Sequence, residues 1–318
     1  MKIMKLTLAA LTTAAALVAF LFVTDPQQFR WTYLCWKQAV SVTSCYRGGA
    51  VEFVTDIDGV KYEGNIGNYI DNNIFYNGAY EKPNLFLLRD VMRSAYANQG
   101  IFIDIGANTG QHSLFMSRYS KEVHAFEPWE PVLKRFRRMV EKNNIKNISI
   151  HAYGLGDANS KKPFFKPDEK NLGTGSFVEG FRQTNSYDGE LEIQKGDDAF
   201  GKEGIKSVSI VKMDIEGYEK PALKGMRNTL NKHRPIMVFE LTADPKSPVS
   251  IKSREELTAL FPEKYEFLLI SEKSDPVTGA YFLEPLDNII HFDRFEQHDL
   301  VAYPAERKSS ILLRGPTR

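Results

Sequence analysis

From residue 83 onward, apolar residues change spacing in a regular rhythm. Leu85, Leu88, Val91, Met92 and Ala95 recur at helical intervals after Pro83, which predicts an amphipathic helix. IFIDI (101–105) is a short apolar run ending at Gly106, and a helix is expected from about Gly110. EVHAF (122–126) reads as a second strand. PVLKRFRRMVEKN (131–143) places Val132, Leu133, Phe136, Met139 and Val140 on one helical face. ISIHAY (148–153), VSIVKMDI (208–215) and IMVFEL (236–241) supply three more buried strands. YEFLLI (265–270), AYFLE (280–284) and NIIHF (288–292) are candidates to finish the sheet. Strands alternating with helices predict a doubly wound α/β fold. The stretch 156–206 breaks the rhythm, being rich in Gly, Asn, Asp and Lys. Weak strands near 162–165 and 189–193 make it a hairpin insertion rather than a bare loop.

Upstream of this region the pattern differs. Leu6 to Val23 runs eighteen residues without a charge after Lys2 and Lys5, and as a helix it would span roughly 27 Å, enough for a bilayer core. An N-terminal membrane anchor is expected over 1–23, with a cleaved signal peptide as the competing reading. Residues 24–82 form a connector: an aromatic stretch, FRWTYLCWKQAV, then short strand-like pieces, VEFVTD and VKYEG. The main domain is assigned to 83–292 and a tail to 293–318. Cys35 and Cys45 are two thiols whose pairing the sequence does not specify.

Composition narrows the function classes. Of 318 residues, 41 are basic and 40 acidic, a balance that gives no support to a nucleic-acid binder. Aromatic residues make up 12%, against intrinsic disorder.

The candidate chemistry sits at strand ends. Asp104-Ile105-Gly106-Ala107-Asn108-Thr109-Gly110 follows the first strand of the alternating region, where open α/β sheets bind ligands. It departs from the dinucleotide fingerprint G-x-G-x-x-G, because Asn108 and Gln111 stand where glycines are needed. A nicotinamide oxidoreductase is thereby weakened. An acid before the turn suits a ligand amine instead. Glu127 ends the second strand, where a carboxylate accepts from both hydroxyls of a ribose. Asp157 follows the third strand, where an adenine amino group would lie. Singly, each acid is equally readable as a helix cap or turn former. Together, after three successive strands, they suit S-adenosylmethionine.

FIDIGANTGQHS, AFEP, VKMDIEGYEKPALKG and VFEL together resemble the FkbM family of S-adenosylmethionine-dependent methyltransferases, over roughly residues 85–243. The resemblance implies a Rossmann-like class I methyltransferase fold with a seven-stranded sheet. It implies cofactor contacts at Asp104, Gly106, Ala107, Asn108, Gly110 and Glu127, with Asp157 matching less closely. It also implies methylation of a hydroxyl on a sugar, glycolipid or secondary metabolite.

Asp214 and Glu216 stand after the fourth strand as candidate general bases for a hydroxyl nucleophile. Capping of the next helix by Glu216 and Gly217 is the alternative. Glu240, ending the fifth strand, and His112, beside the Gly-rich turn, are candidate substrate contacts. The residue list requires no metal, and none is expected. The rival function is an inactive relative serving as a membrane scaffold. Charges flanking the apolar segment slightly favour an outward domain. The cofactor is made in the cytoplasm, so a cytoplasm-facing domain is expected.

Overall fold

The computed structural model describes residues 51–286 and 290–311. Among these, no helix is long and apolar enough to cross a membrane. The anchor expected at 6–23 and both cysteines lie outside the described residues.

In chain order the strands are β1 (Glu52–Ile57), β2 (Val60–Asn65), β3 (Ile101–Ile105), β4 (Glu122–Phe126), β5 (Ile148–His151), β6 (Gly154–Gly156), β7 (Ser160–Lys166), β8 (Ser186–Lys195), β9 (Ile210–Met213), β10 (Ile236–Ala243), β11 (Tyr265–Ile270), β12 (Leu283–Pro285) and β13 (Glu296–Pro304). The helices are α1 (Tyr69–Asn77), α2 (Lys82–Tyr96), α3 (Gln111–Met116), α4 (Glu130–Lys142), α5 (Gly196–Lys202), α6 (Glu219–Gly225), α7 (Arg227–His233), α8 (Arg254–Ala259) and α9 (Lys308–Ile311).

The described residues divide into two compact units, one with 51–55 and 63–80, the other with 56–62 and the described residues from 81 onward. In the first, the Asn68 side chain caps α1 by accepting from the backbone N–H groups of Ile70 and Asp71, and Phe53 meets Phe75 edge to face at 5.2 Å.

The second unit is built on an eight-stranded sheet in the order β12-β11-β13-β10-β9-β3-β4-β5. The five strands from β10 to β5 are parallel. All five residues of β3 are buried, as a central parallel strand covered on both faces requires. The helix α4 carries its predicted stripe inward, with Val132, Leu133, Phe136 and Met139 buried. The fully buried Phe136 ring fills the space where a Gly110 side chain would stand. Residues 154–195 form a separate three-stranded sheet, β6-β8-β7, so the expected hairpin insertion is present with one further strand.

Two expectations are corrected. The sheet has eight strands, not seven. The described part of NIIHF is not a strand; the strand that completes the mixed sheet is β13, within the stretch read as a tail. It runs antiparallel to both β10 and β11, between them. In its first half, EQHD, Gln297 and Asp299 face the acidic cluster described below while Glu296 pairs with His298 and Arg294, which hides the apolar alternation of a strand.

A buried histidine pair links β4 to β5. His124 Nδ1 and His151 Nε2 are 3.1 Å apart, and the rings stack within 9° of parallel. Glu203 lies 3.4 Å from His151 Nδ1 and accepts from the Tyr153 hydroxyl at 3.0 Å. Burial pushes His151 down from 6.5 to about 4 and also lowers His124. The folded chain therefore binds fewer protons than the unfolded one between these values. Stability present above about pH 6.5 is lost as pH falls toward 4, by roughly 3 kcal/mol for His151. Urea midpoints at several pH values check this against His151→Gln, whose profile should be flatter; identical profiles would refute it.

Candidate functional site

The site is assembled at the carboxyl ends of β3, β4, β9 and β10. After β3 the chain turns at Gly106, with φ +80°. A side chain there would place its Cβ 1.9 Å from the Asp214 carbonyl oxygen, so only glycine lets the two strand ends approach. The backbone N–H groups of Gly106 and Ala107 both donate to the Phe126 carbonyl, at 2.9 and 3.2 Å. Asn108 donates its backbone N–H to Glu127 Oε2 at 3.0 Å, and Trp129 donates to Oε1 at 2.9 Å. Glu127 thus ties the ends of β3 and β4 together. Burial pushes it up to about 7, against the pull of those two N–H groups.

Asp104 lies on β3, fully buried; it accepts from Ser113 Oγ at 2.6 Å and stands opposite Lys212 in the β3/β9 register, while its Oδ1 has no hydrogen-bond partner. Asp157 follows β6 of the small sheet, not β5, and is exposed. With burial, its charge raises the Tyr218 hydroxyl.

The motif after β9 centres on Lys212, to which the sequence reading assigned no role. Its buried ammonium lies 3.2 Å from Asp214 Oδ2. Burial alone would lower its pKa, but the carboxylates of Asp214, Asp104 and Glu81 outweigh that and raise it. His112 is buried on α3, with Nε2 3.6 Å from Glu81 Oε2. Burial and the Lys212 charge hold it well below 6.5, so it is neutral.

Asp214, Glu216 and Glu240 come together as expected: their nearest carboxylate oxygens all lie within 4.8 Å of one another. Three further groups escaped the sequence reading. Asp299 on β13 is the direct partner of Glu240, and Asn84 donates to it at 2.9 Å. Gln297 donates to Glu240 Oε2. Arg182, from the insertion, lies 3.7 Å from Glu216 Oε2. The counter-charges facing the cluster are thus Lys212 and Arg182. Burial, then the neighbouring carboxylates, raise both Glu216 and Glu240 well above 4.5. Neither Glu216 nor any other side chain caps α6; Glu219 instead braces the preceding loop, accepting from the backbone N–H groups of Ile215 and Gly217 at 3.3 and 3.1 Å.

Buried polar atoms without a partner concentrate here: Asp104 Oδ1, Asn108 Oδ1, His112 Nε2, Arg182 Nε, Asp214 Oδ1 and Glu216 Oε2. Such atoms are costly unless a ligand or water meets them.

The model of the methyltransferase FkbM domain matches residues 104–269. The chain is similar to methyltransferase 1 of Beauveria bassiana, 24% identical over 149 residues, covering 41% of this chain and 60% of that protein. It is also similar to the hexuronic acid methyltransferase AglP of Haloferax volcanii, 26% identical over 157 residues, covering 49% of this chain and 62% of that protein. The chain therefore spans about three fifths of the length of these curated relatives. Among solved structures, methyltransferase FkbM from Methylobacillus flagellatus aligns with TM-score 0.40 at 19% identity, over 65% of this chain and 44% of that one. A putative methyltransferase from Streptococcus mutans, in complex with SAH, aligns with TM-score 0.35 at 14% identity, over 64% and 88%.

Proposed function

This chain belongs to the methyltransferase FkbM family, and from that premise we propose that it moves a methyl group from S-adenosylmethionine to a hydroxyl of a sugar or related metabolite. The family carries S-adenosylmethionine as its cofactor. The residues fit it. Glu127 offers a buried carboxylate with a spare lone pair on each oxygen for a ribose diol. Asn108 brings an unpartnered side-chain oxygen to the same turn. Bound there, the cofactor supplies a methyl carbon made electrophilic by its sulfonium.

The chain's own contribution is alignment and proton removal. Asp214 or Glu216 accepts the proton of the acceptor hydroxyl as it attacks, and the other orients it. Glu240 and His112 are assigned to the acceptor side. The observation that carries this reading is the convergence of Asp214, Glu216 and Glu240 beside the glycine turn. A sugar acceptor is supported by the relative that methylates hexuronic acid. The apolar stretch 6–23 supports membrane attachment, with the catalytic unit on the cytoplasmic side where the cofactor is made. A C-terminal reporter active only outside the cell should stay silent; strong signal would overturn that orientation.

The deciding experiment is calorimetric titration with S-adenosylmethionine and its demethylated product. Micromolar binding, weakened by Glu127→Ala, is expected. A folded chain that binds neither would favour an inactive scaffold. The same titration tests Glu127 ionisation. Its raised value of about 7 leaves it increasingly protonated in mild acid, when it no longer accepts from both ribose hydroxyls. Affinity should fall about tenfold between pH 8 and pH 6, and Glu127→Gln should remove the dependence. A wild-type affinity constant across that range would exclude this role.

A further inference from the structure

We infer that Arg182 is a positioning residue for the carboxylates at the acceptor end, holding Glu216 directly and Glu240 through Gln297. The inference rests on the reading of Glu216 as a proton acceptor. Arg182 comes from the segment between β7 and β8, outside every motif that the family resemblance uses.

That segment docks on both halves of the site. Asn108 donates its side-chain N–H to the Leu172 carbonyl at 3.3 Å. Ser176 Oγ donates to the Glu216 carbonyl at 2.7 Å. Phe181 packs against Gly217, where a Cβ would come within 2.8 Å of its ring. Arg182 then reaches the side chains. Its Nη2 lies 3.7 Å from Glu216 Oε2 and donates to Gln297 Oε1. Gln297 passes the link on, donating to Glu240 Oε2 and to Thr242 Oγ1 at 3.4 Å. The guanidinium lies beside the edge-to-face pair of Phe181 and Phe295, 5.0 and 5.4 Å from their centroids. A planar cation can contact the aromatic pair and still fork toward its acceptors; an ammonium neither stacks nor forks in the same way.

The charges around Glu216 give the arrangement its purpose. Asp214 and Glu219 face it from its own loop and the following helix. Glu240 faces it from β10, and Asp299 stands behind Glu240 on β13. Lys212 reaches Asp214 instead. Burial and these like charges push Glu216 up, and Arg182 with Gln297 opposes them. Losing Arg182 removes the opposing charge and frees the Gln297 bridge at once.

The test uses the full chain with glutamate labelled at the carboxyl carbon, in the presence of a chelator. The Glu216 signal, assigned by its loss in Glu216→Gln, is followed by NMR from acid to base. In Arg182→Gln the midpoint should rise by about one pH unit or more, a tenfold gain in proton affinity. Arg182→Lys should recover less than half of that. Affinity for the demethylated cofactor should stay within about twofold in both, whereas a merely structural role would lower it together with the folded fraction. Gln297→Leu leaves Arg182 in place and covers failure of Arg182→Gln to fold; there the Glu240 midpoint should rise. An unmoved midpoint in the folded variant tested overturns the inference. This readout needs no acceptor and no methyl transfer. An unmoved midpoint in a chain that binds the cofactor product sinks only this inference, and a wild-type chain that binds none sinks only the methyltransferase reading.

Discussion

Gly106→Ala is expected to cost upward of about 3 kcal/mol of stability and to abolish measurable binding of S-adenosylmethionine. Two costs add. An L-residue at φ +80° pays about 1–2 kcal/mol for the left-handed conformation. The new Cβ also falls 1.9 Å from the Asp214 carbonyl oxygen, on a backbone that cannot retreat, since the Asp214 N–H is bonded to the Ile105 carbonyl at 3.0 Å. Relief requires β3 and β9 to part, and Asp214 moves with them. Gly189 supplies the control. It has φ +96° and nothing within 4 Å of its would-be Cβ, so Gly189→Ala carries the conformational cost alone. Chemical denaturation of both variants checks the difference; equal losses would mean that the close approach at Gly106 contributes nothing.

The largest kinetic effects are expected at the motif after β9. Asp214→Asn and Glu216→Gln should lower turnover by about 10²–10⁴-fold for whichever residue takes the proton, with less effect on cofactor affinity. Both substitutions keep shape and remove charge, so in a variant shown to be folded the loss reports the missing base. Single-turnover transfer of labelled methyl to a hydroxylated glycoside acceptor measures it. A variant that keeps wild-type turnover excludes that residue as the base. Asp214→Asn carries a second consequence, because it also removes the nearest counter-charge of the buried Lys212. An uncompensated buried ammonium costs several kcal/mol, so this variant should be the less stable of the two.

The legible parts of this molecule are those in which one residue carries both fold and chemistry. Gly106 marks a strand end, a tight turn and a close approach together, and the apolar runs at 101–105, 122–126 and 265–270 coincide with β3, β4 and β11. Asp214, Glu216 and Glu240 were found because each follows or ends a buried strand. What escaped notice depends on partners distant in sequence. Arg182 lies in a glycine- and asparagine-rich insertion with no periodicity, and only the folded chain brings it to Glu216. Asp299 and Gln297 sit in a polar half-strand that reads as tail. Asp104 was placed correctly on its strand, but its enclosure by Ser113 and Lys212 is a matter of packing that spacing does not encode. The same holds for Asp157, six residues beyond the end of β5 and just after β6 of a different sheet.

The placement of β13 has a consequence for synthesis. It is the last strand among the described residues, yet it lies between β10 and β11. A growing chain that has emerged through residue 285 therefore holds β11 and β12 with no sheet neighbour on the core side, and β10 presents an open apolar edge. Neither is resolved until residues 296–304 leave the ribosome. Asp299 and Gln297 arrive with that strand, so β13 closes the sheet and completes the acidic cluster in one event. A nascent chain stalled before residue 296 should be sticky and unable to assemble its proton-accepting end, whereas one released past 304 gains both together.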